Sequence, residues 1–415
     1  MDEPIKNPTT NFDHNEQVLM ARQPIYDCHS KIVAYELLFR QFDNNTAEFI
    51  DGDNATSVVL VNAFTHLDIN ELIGTKKAFI NFTRNLLANP PPFDKDRLVI
   101  EVLEDVEIDD SLVKDLTALS RDGYTIALDD FILQESSHRI LAIADIVKID
   151  IMQLSVSELH EYVRVLKQYD LTLLAEKVET HEEYELCASL GFELFQGYFL
   201  CKPQIISGKQ VPPAKLVVME LIGKLQDPSI KFSDLDLLIS RDPILSFKIL
   251  KLVNSAAYLR LAKLDSISRA ISYLGIEQIR SLAGLLLLSN LNDKPSALKN
   301  QTMIRAKMCE LIGKNIDPDY PSRFFSAGLL STLDAYFDQT LESILESLPL
   351  HEDLCDALLH HKGDSGIVLQ SVLQQESADW NKINWDFLAN HGITPSKFND
   401  YYQQAIAWQE QTITD

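Results

Sequence analysis

The sequence predicts an α/β barrel followed by an all-α domain. Three observations carry this expectation. Short β-rich runs alternate with helical stretches from about Ala21 to about Pro203. Pro212-Pro213 then closes a short linker, after which leucine, isoleucine, lysine and glutamate recur at three- and four-residue spacing. Several apolar runs in the first half also carry a charged or amide residue that a simple core strand does not require. The 415 residues exceed what one ordinary core holds and suit two domains.

Taken in chain order, Met1 to Glu16 is polar and lacks the apolar core of a signal peptide, so residues 1–16 are expected to form a disordered leader. Gln23–Asp27 and Lys31–Arg40, joined by a short polar turn, read as a hairpin and start the barrel with an antiparallel strand. Lys77–Thr83, Leu98–Glu104, Thr125–Phe131, Ile146–Asp150, Leu171–Glu179 and Leu194–Leu200 supply further strands. Amphipathic stretches such as Ser111–Arg121 and Val156–Tyr169 lie between them, and alternation of this kind implies a mainly parallel sheet. Many such units in series suggest closure into a TIM-like (β/α)8 barrel, placed at residues 17–205. Residues 206–400 read as helices. Ser233, Ser268 and Asp242 are their expected caps, with Pro243 at a first helical position and Pro318 and Pro321 as later punctuation. Residues 401–415 form a polar tail expected to fray after about Ile406.

Composition narrows the function classes. Hydrophobic residues make up 46% and charged ones 24%, as in a globular protein. No apolar run reaches the roughly 18–20 residues of a membrane span, and Leu282–Leu288 is too short. With no targeting signal, a cytoplasmic location is expected. The formal charge of −24 argues against nucleic-acid polymers and anionic membranes, which need basic surface. A small anionic ligand is compatible with it if local arginine, lysine or metal charge offsets the field. Cys28, Cys187, Cys201, Cys309 and Cys355 are scattered without metal-ligand spacing and are expected to be reduced packing thiols.

The polar strand residues are the chemical signal. Asn81 follows Ala78-Phe79-Ile80, Glu101 sits in Leu98-Val99-Ile100-Glu101-Val102, and Asp129-Asp130 ends Ile126-Ala127-Leu128. Lys148 interrupts Ile146-Val147-Lys148-Ile149, and Glu176 follows Leu173-Leu174-Ala175. One such residue is explained by a buried ion pair. Five at comparable strand positions point to one rim of a barrel, where the strand ends converge and active sites sit. Glu36, Asn81, Glu101, Asp129 and Asp130 would then share a small volume. Crowded carboxylates repel, divalent cations relieve that, and all-oxygen donors suit Mg²⁺ or Mn²⁺. Adjacent Asp129 and Asp130 can place a donor between two metals, a pairing suited to in-line attack on a phosphodiester. Lys148 could orient the water or offset phosphate charge, and Glu176 could be the general base.

These residues resemble the EAL domains, cyclic di-GMP phosphodiesterases. The likeness runs through Gln23-Pro24-Ile25, Tyr35-Glu36-Leu37-Leu38-Phe39-Arg40, Asn81-Phe82-Thr83, Glu101-Val102-Leu103-Glu104 and Asp129-Asp130-Phe131. It continues through Lys148-Ile149-Asp150, Ala175-Glu176-Lys177-Val178-Glu179 and Gln196-Gly197-Tyr198, in the family's order over roughly residues 20–203. The resemblance implies that Glu36, Asn81, Glu101 and Asp129 hold one metal and that Asp129, Asp130 and Glu179 serve a second. It implies further that Lys148 contacts the hydrolytic water, that Glu176 is the base, and that Gln196 and Glu104 support the site. Gln23 and Arg40 would bind cyclic di-GMP, and the product would be linear pGpG, in signalling that controls motility and biofilm.

The chain departs from the family's pattern in its surroundings rather than its ligands. The signature reads Glu36-Leu37-Leu38 in place of Glu-Ala-Leu. A glycine-rich loop after Asp-Asp-Phe is replaced by Ile132-Leu133-Gln134-Glu135-Ser136-Ser137, which must fold otherwise because glycines permit turns that other residues resist. In the family this loop helps to order the metal site and a homodimer, which leaves a homodimer here open. Leu103 stands for a threonine, and Lys177 for a usual glycine beside the expected base. Changes around a metal site can cost about 10–100-fold in affinity or activity.

Asp242-Pro243, Lys251-Leu252-Val253-Asn254-Ser255-Ala256-Ala257-Tyr258, and Ile267 to Leu274 with Gly275 and Arg280 resemble an HDOD domain, a helical relative of HD phosphohydrolases, over roughly residues 204–400. Ser331-Thr332 stands where that relative has its metal-binding His-Asp pair. His360 and His361 diverge by about 100° on a helix and are expected at the surface or as caps. Trp380 and Trp385 are expected in the core. The helical half is therefore expected to be a regulatory module with an unidentified protein partner. The rival to the enzyme is a non-catalytic signalling adaptor working through that module.

Overall fold

The computed structural model describes residues 17–43, 48–50, 72–90, 94–104, 106–131, 137–201, 221–225, 227, 229–240, 249, 267–289, 294–346, 350 and 352–413. The expected leader, residues 132–136, Pro212-Pro213, Asp242-Pro243 and the Lys251–Tyr258 segment lie outside the described residues.

The barrel opens with β1 (Gln17–Asp27) and β2 (Ile32–Asp43), an antiparallel hairpin as expected. Its turn is held by Asp27, whose Oδ1 accepts from the His29 and Lys31 amides at 2.8 and 2.9 Å. The short β3 (Glu48–Ile50) pairs with the far end of β2. There follow β4 (Lys77–Phe82), β5 (Leu98–Val102), β6 (Thr125–Leu128), β7 (Ile146–Asp150), β8 (Thr172–Glu176) and β9 (Leu194–Gln196). Parallel pairings run from β2 through β4 to β9, and β9 and β2 both pair with β1, so eight of the nine described strands close on themselves. Closure leaves β3 as an appendage.

The strands form where apolar and β-branched residues follow one another. All five residues of β5, Leu98-Val99-Ile100-Glu101-Val102, are buried, as both faces of a parallel strand must be. The intervening helices bury one face each. The helix Asp110–Arg121 packs Leu112, Leu116 and Leu119 inward, and Asp109 caps it by accepting from the Leu112 amide at 2.6 Å. Val156–Leu166 buries Leu159, Val163 and Leu166 behind a reciprocal Ser155–Glu158 cap. Each such side chain contributes about 1.5–3 kcal/mol on burial, so Val163→Asp would unseat that helix. β9 is shorter than its apolar run because the chain turns at Gly197, with φ of 142°, where a Cβ would lie 2.1 Å from the Val178 carbonyl oxygen.

The second half is helical. The helix Ser296–Ile316 is central, with Ser322–Leu330, Gly363–Glu376 and Pro395–Ile413 packed around it. Gly328 lets two of these helices touch, because a Cβ there would sit 2.7 Å from the Ala306 α-carbon. Helices starting at Phe232 and Ile267 place Ser233 and Ser268 in their first turns instead of at the cap, a shift of two residues. Trp380 is buried and its indole N–H donates to Gln375 at 2.7 Å, while Trp385 is half-buried against Phe398. His360 ends a helix exposed, and His361 follows it with φ of 52°. Cys28, Cys187, Cys309 and Cys355 are free thiols.

The chain differs from expectation at its end. The tail at 401–415 does not start as a tail: Pro395–Ile413 is one helix, and Tyr402, Ala405 and Ile406 on it are buried. The helix persists because it lies along β1. Only Ile25, Tyr26 and Asp27 of β1 pair with β9. Towards its start, the edge of β1 facing away from β2 is met by side chains of the helical half. The Met20 amide donates to Asn399 at 3.0 Å, and the Met20 carbonyl accepts from Gln375 at 2.7 Å. The Arg22 amide donates to the Tyr402 hydroxyl at 3.3 Å, and that hydroxyl lies 3.4 Å from the Arg22 carbonyl as its donor. Pro24, next in the same alternation, has no N–H to offer a ninth-strand partner. One continuous apolar core therefore spans both halves.

Candidate active site

Side chains alternate along a strand, so residues two apart share a face. Inside the barrel this builds two layers. The lower is apolar: Ile25, Ala34, Phe79, Val99, Ala127, Ile146 and Leu174 form their own buried cluster. Two residues further towards the strand ends come Glu36, Asn81, Glu101, Asp129, Lys148 and Glu176, with Gln196 beyond Leu194 on β9. β1 runs the other way, so its member is Gln23, two residues before Ile25. The polar positions of the sequence are thus one storey of the barrel.

Lys148 is the hub of that storey. Its Nζ lies 2.6 Å from Glu101, 2.7 Å from Asp129, 2.9 Å from Glu176 and 3.3 Å from Glu36. It is 1% exposed, so these carboxylates are its solvent. Gln196 donates through Nε2 to Glu36 at 2.6 Å and to Gln23 at 2.9 Å, tying β9, β2 and β1 together. Four carboxylates face one ammonium, leaving a formal deficit of three positive charges. The titrations reflect it. Burial works against the charge of Lys148, but Glu101, Glu36, Glu176 and Asp129 outweigh it and hold the ammonium protonated. Burial, with Glu36 and Asp129 adding to it against Lys148, raises Glu101. Burial, with Asp129 and Glu36 adding, pushes Glu176 up to about 8 despite Lys148.

Asp130 turns out of this cluster. Its φ of 40° lies in the left-handed region that Asp tolerates better than most residues. Burial, then Asp129, raises its pKa. Beside it, Lys177 pairs with Asp150 at 2.5 Å, and Asp150 also accepts from the Met152 amide and from Gln153. Lys177 has φ of 56°, the conformation glycine adopts freely, so the residue that replaces the family's glycine keeps the glycine backbone. The Asp150–Lys177 pair was not marked as a site by sequence reasoning, although the two residues flank Lys148 and Glu176 in the expected motifs. Glu104 and Glu179 are exposed and lie outside the buried cluster, Glu179 just ahead of the helix His181–Leu190. Arg40 is half-buried on β2, on the same face as Glu36 by alternation. Of the loop 132–137 only Ser137 is described, and it is buried.

Among the described residues no three His, Cys, Asp or Glu side chains are arranged to hold a metal ion. The donor chemistry nevertheless fits one. The storey is lined with hard oxygen donors, and Asn81 Oδ1 and Glu101 Oε2 are buried without a hydrogen-bond partner among the described residues. Divalent charge is also what the deficit around Lys148 lacks. Nothing similar exists in the helical half at Ser331-Thr332. There Arg305 forms a buried bidentate pair with Glu376 at 2.8 and 2.6 Å and donates to the Ser331 hydroxyl at 2.8 Å, while Thr332 meets Thr302 at 2.9 Å.

Comparison with known proteins places these two halves. The EAL domain family model matches residues 61–203, and the HDOD domain model matches residues 211–346. The chain is 34% identical over 405 residues to YuxH of Bacillus subtilis strain 168, an uncharacterised protein, covering 94% of this chain and 98% of that one. It is 33% identical over 371 residues to the cyclic di-GMP phosphodiesterase CdgJ of Vibrio cholerae serotype O1, covering 88% and 86%. A solved structure of a standalone EAL protein from Vibrio cholerae O395, with c-di-GMP bound, is 25% identical, covering 45% of this chain and 92% of that one, with a TM-score of 0.36.

Proposed function

Because the chain belongs to the family that joins an EAL domain to an HDOD domain, we propose that its barrel is a metal-dependent phosphodiesterase that hydrolyses cyclic di-GMP to pGpG. The observation that carries this reading is the buried storey in which Glu36, Glu101, Asp129 and Glu176 converge on Lys148 from separate strands. The similarity to CdgJ supports the substrate class.

Glu36, Asn81, Glu101 and Asp129 would hold one Mg²⁺ or Mn²⁺, and Asp129, Asp130 and Glu179 a second. A bound metal pair supplies an activated water and charge stabilisation at the leaving oxygen. The chain's own residues do the rest. Glu176, whose carboxyl burial raises above its ordinary value, would be the general base that takes the proton from the water. Lys148 keeps its proton and fixes the carboxylates around one point. Gln196 holds Glu36 and Gln23 in register, and Gln23 with Arg40 would grip the dinucleotide. Among the described residues no helix is long and apolar enough to cross a membrane. We place the protein in the cytoplasm, acting on signalling that sets motility and biofilm, with an unidentified protein recruited by the helical half.

A second reading has its own observation. Lys148 already serves as counter-ion to four carboxylates, and Lys177 holds Asp150 next to Asp130. A barrel whose acids are already engaged by its own lysines would suit a non-catalytic adaptor that signals through the HDOD half. Incubation of the purified chain with cyclic di-GMP and Mg²⁺ or Mn²⁺, followed by chromatography, separates the two. Product pGpG that vanishes with EDTA, and in Glu36→Ala and Asp129→Ala variants that stay folded, establishes the enzyme. Absence of product in the wild type leaves the adaptor.

A further inference from the structure

We propose that the helical half is a clamp on the barrel's mouth, with Asn399, Tyr402 and Gln375 as positioning residues for Gln23 and, through it, for Gln196 and Glu36. This rests on the phosphodiesterase reading for its activity readout and on geometry alone for its structural one.

A strand edge without a partner leaves backbone N–H and C=O groups that must be satisfied. β1 has such an edge over Met20 and Arg22, because β9 reaches only Ile25, Tyr26 and Asp27. Asn399, Gln375 and Tyr402 take up all four polar groups of those two residues. The clamp is itself braced. Gln375 has its carbonyl fixed by the Trp380 indole at 2.7 Å, leaving its amide for Met20. The Arg22 guanidinium lies 4.5 Å over the Tyr35 ring and 3.4 Å from Glu410.

From there the path to the site is short. Arg22 precedes Gln23, and Gln23 faces Glu36 across the β1–β2 register. Gln23 also accepts from Gln196, whose same Nε2 donates to Glu36, one of the partners of Lys148. The two halves meet directly at this point as well. Gln301 and Glu376 of the helical half line a cavity of about 40 Å³ together with Gln23 and Gln196. A shift of the helices along β1 therefore moves Gln23 against Glu36.

The test uses the full chain with Tyr402→Phe and Asn399→Leu, singly and together, measured by hydrogen exchange and by steady-state kinetics on cyclic di-GMP. The clamp predicts faster exchange in residues 17–27, 34–38 and 194–198 alike, with the helix 110–121 unchanged as an internal control. It predicts kcat/KM lowered by about 10-fold, the low end for losing support behind a site residue, with KM rising through Gln23. Faster exchange confined to residues 17–27, with KM unchanged, overturns it. Tyr402→Phe removes one oxygen and keeps the ring, so it serves if Asn399→Leu misfolds. A wild type without turnover would sink the phosphodiesterase reading alone, since exchange at 34–38 and 194–198 still decides the clamp.

Discussion

Lys148 is the residue on which the barrel storey turns. Lys148→Met keeps the length and removes the charge, leaving four buried carboxylates without their cation. Losing one partner of a buried ionic group typically costs about 3–5 kcal/mol, and urea denaturation in EDTA is expected to show a loss of that order. Added Mn²⁺ should recover part of it if the oxygen donors bind the metal, and an equal loss with and without Mn²⁺ would count against the metal site. Lys177 is a milder case. Lys177→Gly would relieve a left-handed backbone worth about 1–2 kcal/mol and lose an ion pair to Asp150 whose lysine side chain is 58% exposed. The two effects oppose, so the denaturation midpoint should move little. Much of this storey was legible in the sequence, because a charged or amide residue two positions beyond an inward apolar one breaks the pattern of a buried strand. The Lys148-centred pairing was not, since nothing in the spacing tells which acid a lysine will meet.

At the scale of elements, close helix contacts and buried charge set the expectations. Gly328→Ala drives a methyl into the backbone at Ala306. Overpacking of that kind costs about 1–3 kcal/mol and should lower the melting temperature without touching the barrel's chemistry. The helix Ser296–Ile316 also carries Glu310, buried between Lys307 at 2.8 Å and Lys314 at 3.0 Å. Burial alone would raise its pKa, but the two ammonium groups win and hold it below 4.5. A depressed folded pKa binds fewer protons than the unfolded chain. Its stabilisation is therefore present above pH 4.5 and lost as the pH falls through the folded value. Glu310→Gln should flatten the acid limb of the stability curve by less than about 1.4 kcal/mol per pH unit. An acid limb as steep as the wild type's would refute this assignment. The strand and helix order was readable from alternation and periodicity, whereas strand ends were read too long wherever, as at Gly197, a backbone turn cut an apolar run short.

At the scale of the whole molecule, the two halves share one apolar core and meet at β1. Residues 17–205 expressed alone would bare the edge of Met20 and Arg22 together with the apolar faces that the helices cover. We expect that fragment to aggregate, which sedimentation would register, and a monodisperse, fully folded fragment would contradict it. Sequence reading could not reach this contact. Asn399, Tyr402 and Gln375 follow no local pattern, and a polar residue on an amphipathic helix looks the same whether it faces water or another strand's backbone.

Separation along the chain gives that contact a second meaning, in time. Met20 waits for Asn399, which is 379 residues away, and Arg22 for Tyr402, 380 residues on. At a synthesis rate of about 5–20 residues per second, those partners emerge roughly 20–80 s after the strand they complete. Throughout that interval the nascent barrel carries an unfinished edge, which the final helix completes.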